Sequence, residues 1–183
     1  MAESGELTES ERRRILGFAR EVISAGCAGG GDPEVPDIPR LAELGSCFVT
    51  LREAGEVRGC IGSLEAFEPL AENLRRNAEN AAFSDPAFPP LEADELNFVT
   101  LEVSIPAPAL RIGSPDELTP GRDGAILVFR GRRSVFLPHT IAERRWSAAE
   151  TWDNLARKAG AEPGVWRSPE AELYIFRCET FSE

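Results

Sequence analysis

Arg58-Gly59-Cys60-Ile61-Gly62 is the segment of this chain whose residue types and spacing could do chemistry. A cysteine attacks as its thiolate, and an unperturbed thiol, with a pKa of about 8.5, is only slightly ionised at neutral pH. In a regular strand Arg58 projects to the same face as Cys60, and a guanidinium nearby favours the thiolate. Backbone N–H groups near Gly59 and Gly62 could hold an oxyanion. On this reading Cys60 is a catalytic nucleophile or redox thiol and Arg58 orients an anionic group. The same five residues support a second reading. Free cysteine commonly packs as a small hydrophobe. Glycines in a strand mark a bulge, or a place where a helix or ligand approaches the backbone closely. From the residues alone both readings stand.

Few other side chains could assist. His139 is the only histidine and Lys158 the only lysine, so a His-rich metal site cannot be built and a Schiff-base mechanism would have to use Lys158. His139 could serve Cys60 as a general base if the fold brought the two within hydrogen-bond reach, or could cap or decorate the surface. Asp85 precedes Pro86 and suits a turn cap. Glu102 shares a strand face with Thr100 and Ser104, opposite Leu101 and Val103, and points to solvent or a cleft. Arg58, Gly59, Gly62, Asp85, Glu102 and His139 are therefore the candidate ligand-binding residues around Cys60. No metal ligands and no cofactor motif stand out. Cys27, Cys47 and Cys178 read as packing or loop thiols, because no Cys-x-x-Cys pair occurs. Gly29-Gly30-Gly31 follows a helix and lacks Gly-Lys-Ser/Thr, so it reads as linker and not as a phosphate loop.

Composition narrows the function classes. The 183 residues carry a formal net charge of −11, which opposes attraction to nucleic-acid phosphates and anionic membranes. Arg130, Arg132 and Arg133 cluster, as do Arg144 and Arg145; they read as a hairpin tip and a solvated helix end. No apolar run approaches the roughly 18 residues of a membrane span. Met1 to Glu11 has no secretory pattern, and a cytoplasmic protein with free thiols is expected.

The elements that must position these residues follow from spacing. Thr8 and Glu11 form a capping-box pattern, and Ile15, Leu16, Phe18, Ala19, Val22 and Ile23 recur at helical spacing up to Gly26. Residues 46–53 alternate as a strand, Ala54-Gly55 marks a turn, and 57–61 returns as a second strand. A two-residue loop sets Cys60 opposite Val49, on the face of Cys47, and a shift of one residue reverses that. Pro69 opens a helix carrying Leu70, Leu74, Ala78 and Ala81 on one face. Residues 91–96 make a helical turn or two, and 98–105 a strand. A second hairpin spans 125–137 around Arg130–Arg133. A helical turn is expected at 142–145, a helix from Ser147 to Lys158, and a last strand at 173–180. Strands and helices do not alternate regularly, so the fold class is α+β, with a mostly antiparallel or mixed sheet and packed helices.

The motifs also resemble a known family. Arg58-Gly59-Cys60-Ile61-Gly62 is similar to the central Leu-Arg-Gly-Cys-Ile-Gly motif of AMMECR domains, with Val57 in place of the leucine. Ala82-Phe83-Ser84-Asp85-Pro86 with Phe88-Pro89-Pro90-Leu91 resembles the family's Asp-Pro-x-Phe-Pro-Pro block. Glu102-Val103-Ser104, Phe136-Leu137-Pro138, Trp146 and Arg157-Lys158-Ala159-Gly160 follow in the family's order. The resemblance implies a larger α+β lobe beside a smaller one, roughly 1–110 with the C-terminal strand 172–181, and 111–171. It sets the glycine–cysteine motif near a cleft. Similar prokaryotic proteins are called AmmeMemoRadiSam system protein A and are encoded with, or fused to, Memo-like and radical-SAM proteins, which are the implied partners. The family has no settled activity. Two functions are carried forward: a cleft-bearing binding module for such partners or a small ligand, and a thiol-dependent enzyme using Cys60. His139 stands where similar proteins often carry Gln, which argues against a shared histidine base.

Overall fold

The computed structural model describes residues 6–183; the part of the leader argument that rests on residues 1–5 lies outside them. The chain divides into two compact units, Met1–Ile105 with Glu179–Glu183, and Pro106–Cys178.

The first unit opens with helix α1 (Glu9–Ala28). Its capping box forms as the sequence expects: Glu11 N–H donates to Thr8 Oγ1 and Thr8 N–H to the Glu11 carboxylate. The helix runs past Gly26 and ends at Gly29, whose φ of 66° takes the left-handed cap conformation. A short helix α2 (Pro39–Ala42) and a two-stranded ribbon, β1 (Leu44–Gly45) with β4 (Glu68–Pro69), are additions the sequence did not signal. The main sheet has the order β10-β5-β2-β3, with β2 (Phe48–Glu53), β3 (Glu56–Gly62), β5 (Val99–Pro106) and β10 (Cys178–Ser182). Helix α3 (Leu70–Phe83) follows β4 directly.

Strand periodicity decides the packing. Val49 and Leu51 of β2 lie opposite Val103 and Leu101 of β5, so all four side chains share one face. They are buried in one cluster with Ile15, Ala19 and Ile23 of α1 and Leu74, Ala78 and Ala81 of α3. Each fully buried Leu or Ile contributes about 1.5–3 kcal/mol. This core fixes which face of the sheet meets helices.

The second unit has a sheet of order β6-β9-β7-β8, formed by β6 (Leu110–Arg111), β7 (Gly124–Phe129), β8 (Arg132–Phe136) and β9 (Ala171–Phe176). Its pairs are antiparallel. Helices α4 (Pro138–Glu143) and α5 (Ala148–Lys158) supply Ile141, Trp152, Leu155 and Ala156 to a core with Ala125, Leu127 and Leu173. Ser147 caps α5 in a complete capping box.

The α+β architecture stands, and three local expectations are corrected. The stretch read as one strand at 173–180 is two strands on either side of Arg177: β9 pairs with β7 in the second unit and β10 joins β5 in the first. The two compact units accordingly divide at 105/106, with 172–178 in the second. The second hairpin turns on two residues, because Arg130 (φ 50°) and Gly131 (φ 75°) both adopt left-handed conformations, as the tight hairpin turn requires; β8 therefore starts at Arg132. Helix α4 starts at Pro138, whose fixed φ suits the first helical position, four residues before the expected turn.

Candidate functional site

Strands β2 and β3 form the expected hairpin. Ala54 and Gly55 both have positive φ, and Glu53 pairs with Glu56, as a two-residue loop dictates. The register then slips. Arg52 pairs with Val57 but Leu51 pairs with Gly59, so Arg58 is an extra residue, a β-bulge. The slip turns over everything after it. Cys60 lies opposite Thr50, not Val49, and faces away from the core side that holds Leu51 and Val49.

The bulge also redirects Arg58. Its guanidinium donates through Nε and Nη2 to both carboxylate oxygens of Glu95, each at 2.9 Å, and through Nη1 to the carbonyl of Pro89 at 2.9 Å. The fork geometry of a guanidinium suits this two-point grip. Arg58 holds the 89–95 segment against β3, and the same pairing holds the Glu95 carboxyl below the ordinary range. Arg58 does not act as the thiolate-stabilising cation that regular strand geometry implied.

Both glycines are explained by packing. A Cβ on Gly59 would sit 2.2 Å from the Ala81 carbonyl oxygen of α3, so only glycine lets the helix lie this close. On Gly62 it would lie 2.4 Å from the Phe48 ring and 2.5 Å from Phe48 Cα. Asp85 does more than cap its turn. One carboxylate oxygen accepts from Ala87 N–H at 2.9 Å, as expected, and the other accepts from Cys60 N–H at 2.8 Å. That N–H points off the sheet edge, because β3 is an edge strand and Cys60–Thr50 is a non-hydrogen-bonded pair. It is thus taken by a carboxylate and is not open to an oxyanion.

Across the sheet, Cys60, Thr50 and Glu102 are consecutive partners on β3, β2 and β5. Thr50 is buried, and its hydroxyl donates to Cys60 Sγ at 3.2 Å. Arg52 Nε lies 3.6 Å from Glu102, both side chains largely buried. Two residues along β5, on the same face, Ser104 and Thr180 share a hydrogen bond of 2.9 Å. The face away from the core thus carries a polar row. Burial is the main cause pushing the Cys60 thiol up; the Thr50 hydrogen bond opposes it, Asp85 and Glu102 add to it, and Arg52 opposes it. The net direction is upward, which favours the thiol over the thiolate.

Cys47 lies in the core, its thiol pushed up to about 12 by burial. His139 sits in the first turn of α4, in the second unit. Among the described residues no group of three or more His, Cys, Asp or Glu is placed to hold a metal ion, and no helix is long and apolar enough to cross a membrane. Thr50, Arg52 and Glu95 were missed as site residues. A serviceable signal was Gly59 beside Arg58, since a glycine in a strand often marks a bulge, and one extra residue exchanges which side chains Cys60 meets.

A sequence model described as AMMECR1 matches residues 16–181. The chain belongs to the AMMECR1 family. Similar proteins include one from Methanothermobacter thermautotrophicus, 34% identical and covering 97% of this chain and 96% of its own length. Another, from Thermoplasma volcanium, is 37% identical over 91% of this chain and 86% of its own. The crystal structure of an uncharacterized Pyrococcus horikoshii protein superposes with a TM-score of 0.86 at 31% identity, covering 92% of this chain and 89% of that one.

Proposed function

We propose that this AMMECR1-family chain is a cytoplasmic binding module, and that its Arg-Gly-Cys-Ile-Gly motif builds a hydrogen-bonding surface, not a nucleophile. The observation that carries the reading is the Thr50 hydroxyl donating to Cys60 Sγ at 3.2 Å, in surroundings where burial pushes the thiol up. The row reaches an occupant at the partly buried Cys60, while the buried Thr50 and largely buried Glu102 behind it hold that edge in place on the rigid sheet. The occupants we assign are a Memo-like and a radical-SAM protein, or the small molecule they handle, in an AmmeMemoRadiSam-type system. The four free cysteines suit a reducing compartment.

Calorimetric titration of the full chain with Memo-like and radical-SAM proteins from the same genome tests this. The expected result is a Kd of about 10 µM or tighter, retained within a few-fold in Cys60→Ser and weakened about tenfold or more in Thr50→Val with Glu102→Gln. No heat at tens of micromolar with either protein contradicts the partner assignment. The thiol-enzyme reading keeps one supporting observation, that Cys60 is only partly buried and lies on an edge strand. It requires Cys60→Ser to abolish an activity that the binding reading does not need.

A further inference from the structure

We infer that the second unit carries a binding site for a small amphipathic organic anion, in a cavity of about 550 Å³ walled by Trp166 and edged by Arg111 and Arg167. The volume lies within the range of small-molecule sites, roughly 300–1,000 Å³. Trp166 is buried, and its indole N–H donates to Asp153 Oδ1 at 2.7 Å, which fixes the ring. The Arg167 guanidinium lies 3.7 Å from the centroid of that ring. Stacking in this way holds the guanidinium while leaving its in-plane N–H groups free to donate.

The charge pattern points to an anion. Acidic residues outnumber basic ones 31 to 20 in this chain, yet among the described residues Arg167 has no carboxylate partner. The nearest carboxylate to Arg111 is Glu172, 4.0 Å away, at the outer limit of an ion pair. Two guanidinia with weak or no internal neutralisation are therefore gathered at one cavity. The nearby N–H groups of Gly113 and Ser114 are already used by Glu117, so the guanidinia, with the Ser168 hydroxyl that also lines the cavity, are the donors left for a ligand. Ile112, Leu173 and Pro115 make the remaining wall apolar. The matching ligand has one carboxylate or phosphate head and an apolar or aromatic body that packs on this wall or on the outer face of Arg167. This site is independent of the Cys60 row.

The test follows the Trp166 indole N–H resonance of the full chain during titration with adenosine monophosphate, indole-3-acetate, adenosine and inorganic phosphate. The inference expects a saturable shift with at least one of the two organic anions, at a Kd of about 1 mM or tighter, and at least about tenfold weaker binding of adenosine and of phosphate. A response to adenosine monophosphate alone identifies a phosphate head, and a response to indole-3-acetate a carboxylate; either supports the site. Arg111→Gln and Arg167→Gln, both at exposed side chains, should each weaken binding by about tenfold with thermal stability unchanged. No saturable shift up to about 10 mM of either organic anion overturns the inference, as does undiminished binding in the double variant.

Discussion

Replacing Gly59 by alanine tests how the motif is built. The added Cβ would lie 2.2 Å from the Ala81 carbonyl oxygen and 3.2 Å from its carbon, where real Cβ contacts essentially never fall below 3.0 Å. The obstacle is helix backbone, which no rotamer change relieves, so β3 or α3 must move. Overpacking of this kind costs about 1–3 kcal/mol. Gly59 is not among the positive-φ residues, so alanine suits its backbone and lowers the entropy of the unfolded chain, offsetting about 0.4–1 kcal/mol. The net expectation is a loss of about 1–2 kcal/mol, which for a chain of this size lowers Tm by roughly 2–8 °C. Gly17→Ala is the control: it lies exposed inside α1 with nothing within 4 Å of an added Cβ, and should gain about 0.5–1 kcal/mol. Urea and thermal unfolding of the two variants measure both effects. If Gly59→Ala is as stable as the parent, or gains as Gly17→Ala does, the close-approach reasoning is wrong.

Other consequences follow from the same contacts. Arg58→Ala should cost about 2 kcal/mol in urea unfolding, because it breaks a two-point pair with Glu95 and a bond to Pro89, and Arg58→Lys should recover little of it, since an ammonium cannot grip both oxygens. Asp85→Asn removes one of two acceptors; hydrogen exchange at the Cys60 or the Ala87 amide should accelerate, and unchanged protection of both would contradict the assigned bonds. Cys47 keeps its proton in the folded state to about pH 12, whereas an unfolded thiol ionises near 8.5. The unfolded chain therefore holds fewer protons above that pH, and the stability from this group, complete below about 8.5, is lost as pH rises towards 12. Cys47→Ala should flatten the decline of unfolding free energy between about pH 8.5 and 10 by up to about 1.4 kcal/mol per pH unit.

The sequence was most legible where one local rule governed. Thr8 with Glu11 predicted a helix start, because a capping box is complete within four residues, and Ser147 as a cap predicted another. The faces of α1 and α3 were readable from apolar spacing. The strand pair 46–62 was also readable, but its register was not: periodicity counts residues in one strand, while a bulge is a mismatch between two. That single residue moved Cys60 to the opposite face and gave it Thr50 as a neighbour. Arg58 illustrates the same limit from the other side, since its partner Glu95 lies 37 residues away and nothing local connects them. The stretch 173–180 looked continuous because apolar residues occur on both sides of Arg177; which sheet each half joins is decided by long-range pairing.

The pH profile of Cys60 alkylation in the full native chain, followed by mass spectrometry at that residue, bears most directly on the protonated sulfur. The expected midpoint lies above the roughly 8.5 of an unfolded thiol, and below neutral pH Cys60 reacts more slowly than the same cysteine in denaturant. A midpoint below about 8.5, with faster reaction than the denatured chain at pH 7, would mean that the Cys60 row activates a thiolate after all.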